Sequence, residues 1–267
     1  MFPLGLVMLI RRLLRLLGAY RIYEHVLERE VKENPMPKHI AFILDGNRRW
    51  AVSKGLPRWA GYDLGARKAE EVVEWCFEIG VKVVTLYVLS TENIAKRRRE
   101  ELEKIFEVIK NYAKKAIREG RLKKMGVKVK VIGLKELLPR DVREWLERLE
   151  KETENNNKYY LNLAVAYGGR AEIVEAAKAL ARDVVEGKVD LNEVSEDVFN
   201  DYLFTSGLPN PDLVIRTSGE ARISNFLLWQ VAYSELVFLD AYWPEFRRID
   251  LLRAIRTYQK RHRRFGA

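Results

Sequence analysis

The chain has 267 residues, which is enough to bury a full hydrophobic core in one α/β domain. Hydrophobic residues make up 48% of it, which excludes intrinsic disorder, and the net charge of +10 favours anionic partners such as phosphorylated substrates or acidic lipids. The single cysteine, Cys76, excludes an intramolecular disulfide, and its apolar helical neighbours predict a buried thiol rather than a nucleophile.

Residues 1–34 are predicted to form an amphipathic helix that precedes the main domain. Leucines recur there at helical spacing, and a set of arginines lies mainly off that stripe: Arg11, Arg12, Arg15 and Arg21. The apolar run is about half of the roughly 20 residues that a spanning helix needs, and its charges follow it, unlike those of a secretory signal. The pattern predicts peripheral contact with a membrane surface. Packing on the domain or on a partner chain would require the same pattern.

From residue 35 to residue 267, segments typical of strands alternate with segments typical of helices. Continuous apolar runs lie near residues 39–44, 82–89, 127–132, 160–166, 212–216 and 235–239. Helical patterns lie near residues 61–79, 98–119, 140–155, 170–186, 196–204 and 248–263. This order predicts an α/β fold with a mostly parallel sheet covered by helices, whose ligands bind beyond the carboxyl ends of the strands.

A polar hexapeptide, Asp45–Trp50 (DGNRRW), follows the first predicted strand. Gly46 allows a sharp turn whose amides can point at a phosphate, and Arg48 and Arg49 add positive charge. The carboxylate of Asp45 suits Mg²⁺. An Asp-Gly pair alone would be read as a helix N-cap with solvated arginines, but the whole hexapeptide after a buried strand favours an anion and metal site.

The densest cluster of anion-binding side chains follows the fifth predicted strand. The segment Arg216–Phe226 (RTSGEARISNF) contains Arg216, Arg222 and Ser224 directly after an apolar run. A strand that ends there presents guanidinium groups, hydroxyls and loop amides to one point, as a diphosphate requires. Two anion sites and one metal carboxylate indicate an enzyme that joins or transfers diphosphate-bearing substrates.

Weaker signals lie at other predicted strand and helix ends. Arg58 and Tyr62, four residues apart at a helix start, would point back at the first cluster or be surface residues. The segment Ser90–Asn93 (STEN) is either a polar strand end at the site or a loop before a capped helix. Tyr167–Arg170 (YGGR) allows close ligand approach or simply a tight turn. Glu235 is either a second metal ligand or a surface group.

Together, these motifs identify a resemblance to the cis-prenyltransferases of the undecaprenyl and dehydrodolichyl diphosphate synthase type, in their archaeal form. The likeness covers roughly residues 36–266. It implies a parallel six-stranded sheet flanked by helices, with a hydrophobic tunnel for the growing chain, and a homodimer or heterodimer. It also implies a Mg²⁺-dependent enzyme. The single cysteine fits a reducing compartment and the N-terminal helix predicts membrane contact, so we expect a cytoplasmic protein at the inner face of the cell membrane.

The implied activity is sequential condensation of isopentenyl diphosphate onto an allylic diphosphate, geranylgeranyl or farnesyl, with cis geometry. The long-chain polyprenyl diphosphate formed would be the precursor of a glycan carrier lipid. The resemblance makes Asp45, Asn47 and Asn93 catalytic, and Asp45 and Glu235 metal ligands. It makes the following residues substrate-binding: Gly46, Arg48, Arg49, Trp50, Arg58, Tyr62, Ser90, Arg97, Arg216, Arg222, Ser224, Arg264 and Gly266.

Two positions depart from the family pattern. Tyr62 stands where the family usually has histidine, and Ile94–Arg97 replaces the usual aromatic-x-Arg-Pro, so that Lys96 or Arg97 would supply the cation.

Two alternative functions fit the sequence less well. A non-catalytic subunit of a heteromeric prenyltransferase would lose the aspartate and asparagine of the first motif, which this chain keeps, so a homodimer is favoured. Nucleic-acid binding would require a basic face with interleaved aromatic residues and a binding module, and the sequence has neither.

Overall fold

The computed structural model describes residues 19–262 of the chain. Two sets of predicted residues lie outside that range. They are the leucines and arginines before residue 19, and Arg264 with Gly266.

Six strands form one sheet. They are β1 (His39–Ile43), β2 (Val83–Ser90), β3 (Val127–Ile132), β4 (Tyr159–Tyr167), β5 (Leu213–Arg216) and β6 (Glu235–Phe238). Their order is β3-β4-β2-β1-β5-β6, and every neighbouring pair is parallel. All residues of β1 and β5 are buried, as expected for strands covered on both faces. The predicted parallel six-stranded α/β fold is confirmed.

Ten α-helices occur within the described residues. They are α1 (Ala19–Lys32), α2 (Asn47–Ser53), α3 (Ala60–Glu78), α4 (Thr91–Lys96), α5 (Arg99–Glu119), α6 (Arg121–Met125), α7 (Arg140–Thr153), α8 (Gly169–Val185), α9 (Glu196–Asn200) and α10 (Arg248–His262). The long ones are amphipathic. In α5, for example, Ile105, Ile109 and Ala113 recur every four residues and are buried.

The prediction of a helix near 196–204 was too long. Helix α9 ends at Asn200 and is followed by turns. The backbone N–H of Phe204 donates to the buried carboxylate of Glu172 at 2.9 Å instead of to a helical carbonyl. After Asn200 the backbone therefore continues in turns with bonds to the third residue back, and Glu172 takes the N–H of Phe204.

The sheet register brings the predicted polar clusters to one edge. Ile43, the last residue of β1, pairs with Tyr87 of β2 and with Arg216 of β5. Ser90 ends β2 and pairs with Tyr167, the last residue of β4. The segments that follow these strands therefore all start at the carboxyl edge of the sheet, as the sequence predicted.

The chain forms two compact units, and residues 37–246 make up the one that holds the sheet. In this unit Cys76 is buried, as predicted, and burial raises the pKa of its thiol. The described part of the other unit is α1 and α10. There Arg248 donates to Glu28 at 2.9 Å. No helix within residues 19–262 is both long and apolar enough to cross a membrane.

Candidate active site

The two predicted anion-binding clusters are joined by a direct ion pair. Arg216 Nη2, at the end of β5, donates to Asp45 Oδ2, just after β1, at 2.7 Å. The Arg216 side chain is 4% exposed and that of Asp45 is 30% exposed, so the pair lies at the bottom of the site and one carboxylate edge faces outward. Burial by itself raises the pKa of Asp45, but the hydrogen bond and charge of Arg216 outweigh it and hold that pKa below its usual value. Asp45 is therefore ionised at neutral pH.

Gly46 is required by the turn that follows Asp45. Its φ of 102° lies in the left-handed region, and a Cβ there would come within 2.7 Å of the Tyr242 ring. The turn allows the Gly46 N–H to donate to Asp45 Oδ1 at 2.7 Å, and α2 starts at the next residue.

Arg49 and Arg222 share one carboxylate between them. Arg49 Nη1 lies 3.1 Å from one oxygen of Glu220, and Arg222 Nη1 lies 2.6 Å from the other. Arg49 Nη2 also donates to Ser218 Oγ at 2.6 Å. Glu220 therefore bridges an arginine of the first cluster to an arginine of the second.

The loop after β5 wraps around Arg216. Arg216 Nη1 donates to Ser224 Oγ at 2.8 Å and also to the carbonyl of Arg222. Ser218 and Ser224 have φ values of 77° and 51°, a conformation that non-glycine residues rarely adopt. Arg216 therefore binds two things at once: the Asp45 carboxylate and the strained loop that follows β5.

A second cationic group forms around Tyr62. Its hydroxyl accepts from Arg97 Nη1 at 2.9 Å and donates to Glu101, which also lies 3.5 Å from Arg48. Burial is the main reason that the pKa of Tyr62 is raised, so the phenol stays protonated. The Arg97 side chain is 16% exposed, whereas Lys96 lies on the surface. Of the two candidate cations, Arg97 is the one that contacts Tyr62.

An apolar cavity of about 210 Å³ starts beside Asn47 and Tyr62. It is lined by α3, α5 and the residues of β2 and β4 that face them, and at the other end by Leu122, Met125 and Leu149. Asn47 Nδ2 donates to the Leu44 carbonyl at 3.0 Å, whereas its Oδ1 is buried and makes no hydrogen bond within the described residues. Asn47 therefore presents a free acceptor where the cavity meets the polar cluster.

The site fits a Mg²⁺ ion that is shared with a substrate. Within residues 19–262 no three acidic, histidine or cysteine side chains are grouped to hold a metal by themselves. Mg²⁺ usually binds one or two carboxylates and completes its shell with phosphate oxygens and water. The ionised, partly exposed carboxylate of Asp45, beside arginines suited to phosphate, provides that arrangement.

The other predicted site residues lie at varied distances from this cluster. Ser90 caps α4 by accepting from the Asn93 N–H at 3.0 Å. Asn93 therefore lies in the first turn of α4, at the same edge of the sheet. Trp50 is half-buried on α2, and Arg58 is exposed on the following turn. Glu235 pairs with Leu213, three residues before Arg216, and so lies about 10 Å back from the edge. Within a single chain, Glu235 and Asp45 therefore lie at opposite edges of the sheet, Glu235 at the start of β6 and Asp45 level with the end of β5, and are not neighbours.

Four further residues of the site were not singled out from the sequence. Ser218, Glu220 and Asn225 lie inside the second motif, whose polar composition is a local signal for them. Glu101 has no such signal. Glu101 contacts Tyr62, 39 positions away in the chain, and Asn225 contacts Glu92, 133 positions away.

The family model that matches this chain and two of its curated relatives carry the name undecaprenyl diphosphate synthase. Residues 43–266 match the prenyltransferase family model described as undecaprenyl diphosphate synthase. The chain is 50% identical over 248 residues to a tritrans,polycis-undecaprenyl-diphosphate synthase (geranylgeranyl-diphosphate specific) of Pyrococcus horikoshii, covering 93% of this chain and 94% of that one. An enzyme of the same name from Methanopyrus kandleri is also 50% identical, covering 93% of this chain and 91% of that one.

A solved structure is also similar. Lavandulyl diphosphate synthase from Lavandula x intermedia, in complex with dimethylallyl diphosphate, superposes with a TM-score of 0.80 at 32% identity. The match covers 84% of this chain and 95% of that one.

Proposed function

The chain belongs to the undecaprenyl diphosphate synthase family of prenyltransferases, and we propose that it condenses isopentenyl diphosphate repeatedly onto an allylic diphosphate with cis geometry. Geranylgeranyl diphosphate is the proposed primer because relatives at 50% identity are named as specific for it. The long-chain polyprenyl diphosphate formed would serve as the precursor of a glycan carrier lipid.

The observation that carries the proposal is the Asp45–Arg216 pair, because the residues on either side of Asp45, Leu44 and Gly46–Asn47, lead directly to an apolar cavity that Leu44 and Asn47 line. The pair joins two arginine clusters at a distance of 2.7 Å, and Asn47 lies where the cavity begins. Two diphosphates held side by side need dense positive charge, and a growing hydrocarbon chain needs an apolar space that starts at the reacting carbon. This site supplies both.

In the proposed reaction the allylic C1–O bond breaks, C4 of isopentenyl diphosphate bonds to C1, and C2 loses a proton. Arg49, Ser218 and the amides at the start of α2 bind the allylic diphosphate, whose negative charge grows as it leaves. Bound at Asp45, Mg²⁺ would supply further positive charge against that leaving group.

Arg222, Ser224 and Arg216 bind isopentenyl diphosphate in this proposal. Arg216 ends β5, and Arg222 and Ser224 lie on the loop that follows it, separate from the amides of α2. The buried Oδ1 of Asn47 makes no hydrogen bond within the described residues, and Asn47 lies beside Gly65 in the lining of the cavity. There it orients the C2–H of isopentenyl diphosphate, whose proton passes to a diphosphate oxygen.

The apolar cavity is proposed as the tunnel that takes up the growing chain. Its walls are mostly aliphatic, and alanines on the α3 and α5 sides, among them Ala69 and Ala113, leave space between the helices. Water is excluded from such a lining, which also protects an electron-deficient allylic carbon from hydrolysis.

We further propose a homodimer and peripheral membrane contact. Strand β6 is a sheet edge in the described chain, and Tyr233 before it and Phe238 at its end are exposed. An exposed apolar edge strand is a surface suited to a second copy. On α1, Ile22 and Val26 are also exposed, one turn apart, which supports contact of this helix with lipid or a partner.

The activity is tested by incubating purified protein with radiolabelled isopentenyl diphosphate and either geranylgeranyl or farnesyl diphosphate, with and without Mg²⁺. Asp45→Asn keeps an acceptor for Arg216 and is expected to lower turnover about 10²- to 10³-fold. Asp63→Asn, on the exposed start of α3, is the matched control. Unmodified protein that binds isopentenyl diphosphate but makes no product would instead indicate a non-catalytic subunit.

A further inference from the structure

Asn225 connects three segments at the carboxyl edge of the sheet. Its carbonyl accepts from the Gly169 N–H at 2.7 Å, and its Oδ1 accepts from the Arg170 N–H at 2.9 Å, both at the start of α8. Its Nδ2 donates to Glu92 Oε1, in the first turn of α4, at 2.6 Å. One side chain thus ties the loop after β5 to the segments that follow β2 and β4.

The chemistry of its partners fixes the orientation of this amide. A backbone N–H can only donate, so the atom facing Arg170 is Oδ1. Burial opposes ionisation of Glu92, but several hydrogen bonds, including the one from Asn225, hold its pKa below the usual value. An ionised carboxylate only accepts, so Nδ2 faces Glu92. The asparagine amide provides the acceptor for Arg170 and the donor for Glu92 on two separate atoms of one short, planar group.

The segments around Asn225 are packed so closely that position 168 has no space for a side chain. A Cβ on Gly168 would lie 2.8 Å from Asn225 Nδ2 and 2.6 Å from Thr91 Oγ1. The first glycine of the Tyr167–Arg170 motif is therefore explained by the approach of Asn225, without a ligand. The sequence left this motif open between ligand approach and a tight turn.

Asn225 also fixes its neighbour, Ser224. Both residues have positive φ, 51° for Ser224 and 61° for Asn225. Such conformations persist only where surrounding contacts hold them. The Ser224 hydroxyl accepts from Arg216, and its carbonyl accepts from the Tyr87 hydroxyl at 3.3 Å. The Asn225 bonds hold the other side of this strained pair.

We propose that Asn225 is a positioning residue for isopentenyl diphosphate: through its bonds to Glu92 and Arg170 it holds Ser224 and Arg222 in place. This inference rests on the proposed function, because it assumes that these two residues bind that substrate. Asn225 itself need not touch the substrate. Loss of the Asn225 side chain is expected to weaken the binding of isopentenyl diphosphate more than the binding of the allylic primer.

The test exchanges the polarity of the Asn225–Glu92 bond. Asn225→Asp keeps the acceptor for Arg170 but sets a carboxylate against Glu92, and is expected to raise KM for isopentenyl diphosphate roughly tenfold or more. The double variant Asn225→Asp with Glu92→Gln restores the bond, because the Gln amide donates to the Asp carboxylate. Its KM should return to within a few-fold of the unmodified value.

Two further variants complete the set. Asn225→Gly adopts positive φ without strain but loses both side-chain bonds, so it should match Asn225→Asp and keep the test decisive if that variant does not fold. Glu92→Gln alone still accepts from Asn225 and should resemble the unmodified enzyme. Calorimetric binding of isopentenyl diphosphate is measured beside KM for each substrate.

The inference is overturned if the double variant has the same KM for isopentenyl diphosphate as Asn225→Asp. It is also overturned if Asn225→Asp weakens the binding of both substrates equally. It is also overturned if Asn225→Gly binds isopentenyl diphosphate like the unmodified protein. Failure of the proposed function gives a different result, namely no condensation by the unmodified protein.

Discussion

Each arginine cluster of the site is neutralised by a carboxylate of the chain itself. Asp45 pairs with Arg216, and Glu220 bridges Arg49 and Arg222. A bound diphosphate would therefore exchange one set of charge-assisted hydrogen bonds for another. This keeps the arginines ordered before substrate arrives, which reduces the reorganisation needed on binding.

Arg216 and Arg222 are expected to differ when replaced by alanine. Arg222→Ala should raise KM for isopentenyl diphosphate about tenfold with little effect on the allylic primer, because it removes one exposed charged donor. Arg216→Ala should weaken both substrates and lower the free energy of unfolding by on the order of 3 kcal/mol, because it leaves Asp45 without its buried partner. Steady-state kinetics and chemical denaturation measure the two effects. Equal behaviour of the variants would contradict the arrangement.

Glu220→Gln is expected to tighten the binding of inorganic diphosphate. The carboxylate competes with phosphate for Arg49 and Arg222, and removing its charge should raise affinity about threefold or more. Isothermal titration measures it. The control is Glu245→Gln, because the carboxylate of Glu245 pairs with Lys54 and not with either of these arginines. Unchanged affinity for Glu220→Gln would mean that the bridge does not restrain these arginines.

At the scale of the elements, β1, β2 and β4 are joined by a buried chain of polar side chains. His39 Nδ1 donates to the Pro209 carbonyl and its Nε2 accepts from Thr85, each at 2.7 Å, and Asn162 donates to Thr85 at 2.9 Å. His39 is fully buried, which penalises its charged form, and in the neutral form Nε2 accepts from Thr85. Burial lowers the pKa of His39 to about 4 from its usual 6.5.

Stability of the sheet should therefore depend on pH. Between about 6.5 and about 4 the unfolded chain binds a proton that folded His39 does not, so stability is full above that window and falls as the pH drops through it. The loss should approach about 3 kcal/mol. Denaturation curves across this range for His39→Asn should lack this component, whereas exposed His25→Asn should retain it. Retention of the component by His39→Asn would contradict the assignment.

The cavity along α3 offers a test of the proposed tunnel. Ala69 lines it one turn after Gly65, so Ala69→Leu should narrow the space and shift the products to shorter chains. Ala177→Leu, on the exposed face of α8, is the control. Reversed-phase chromatography of the dephosphorylated products measures chain length. An unchanged product distribution would exclude this part of the cavity from chain uptake.

At the scale of the whole molecule, deletion of residues 1–18 is expected to lower association with anionic vesicles and to spare condensation of soluble substrates. The deletion removes three arginines, each contributing about 1 kcal/mol near an anionic surface, and keeps α1 with its Glu28–Arg248 bond. Co-sedimentation at low and high salt measures the effect, with neutral vesicles as the control. Equal binding by both proteins would favour packing of this segment on protein instead.

The sequence by itself determined the order of the elements and the position of the site. The central strands are largely apolar runs, whereas β3 alternates valine with lysine, and the motifs after β1 and β5 combine residue types that an anion site requires. These are local properties, so they can be recognised from neighbouring residues. The parallel sheet then follows from the alternation of strands and helices, because crossovers between parallel strands usually run through a helix. The exception is the connection from β5 to β6, which consists of turns.

Only the tertiary structure decided how the motifs contact one another. Asp45 and Arg216 are 171 residues apart, and their bond depends on the register of β1 with β5. The contact of Arg97 rather than Lys96 with Tyr62 depends on where α4 ends. The role of Asn225 depends on three separate strand ends meeting. Such contacts are set by strand register and helix packing over long separations, and a local pattern of residue types does not encode them.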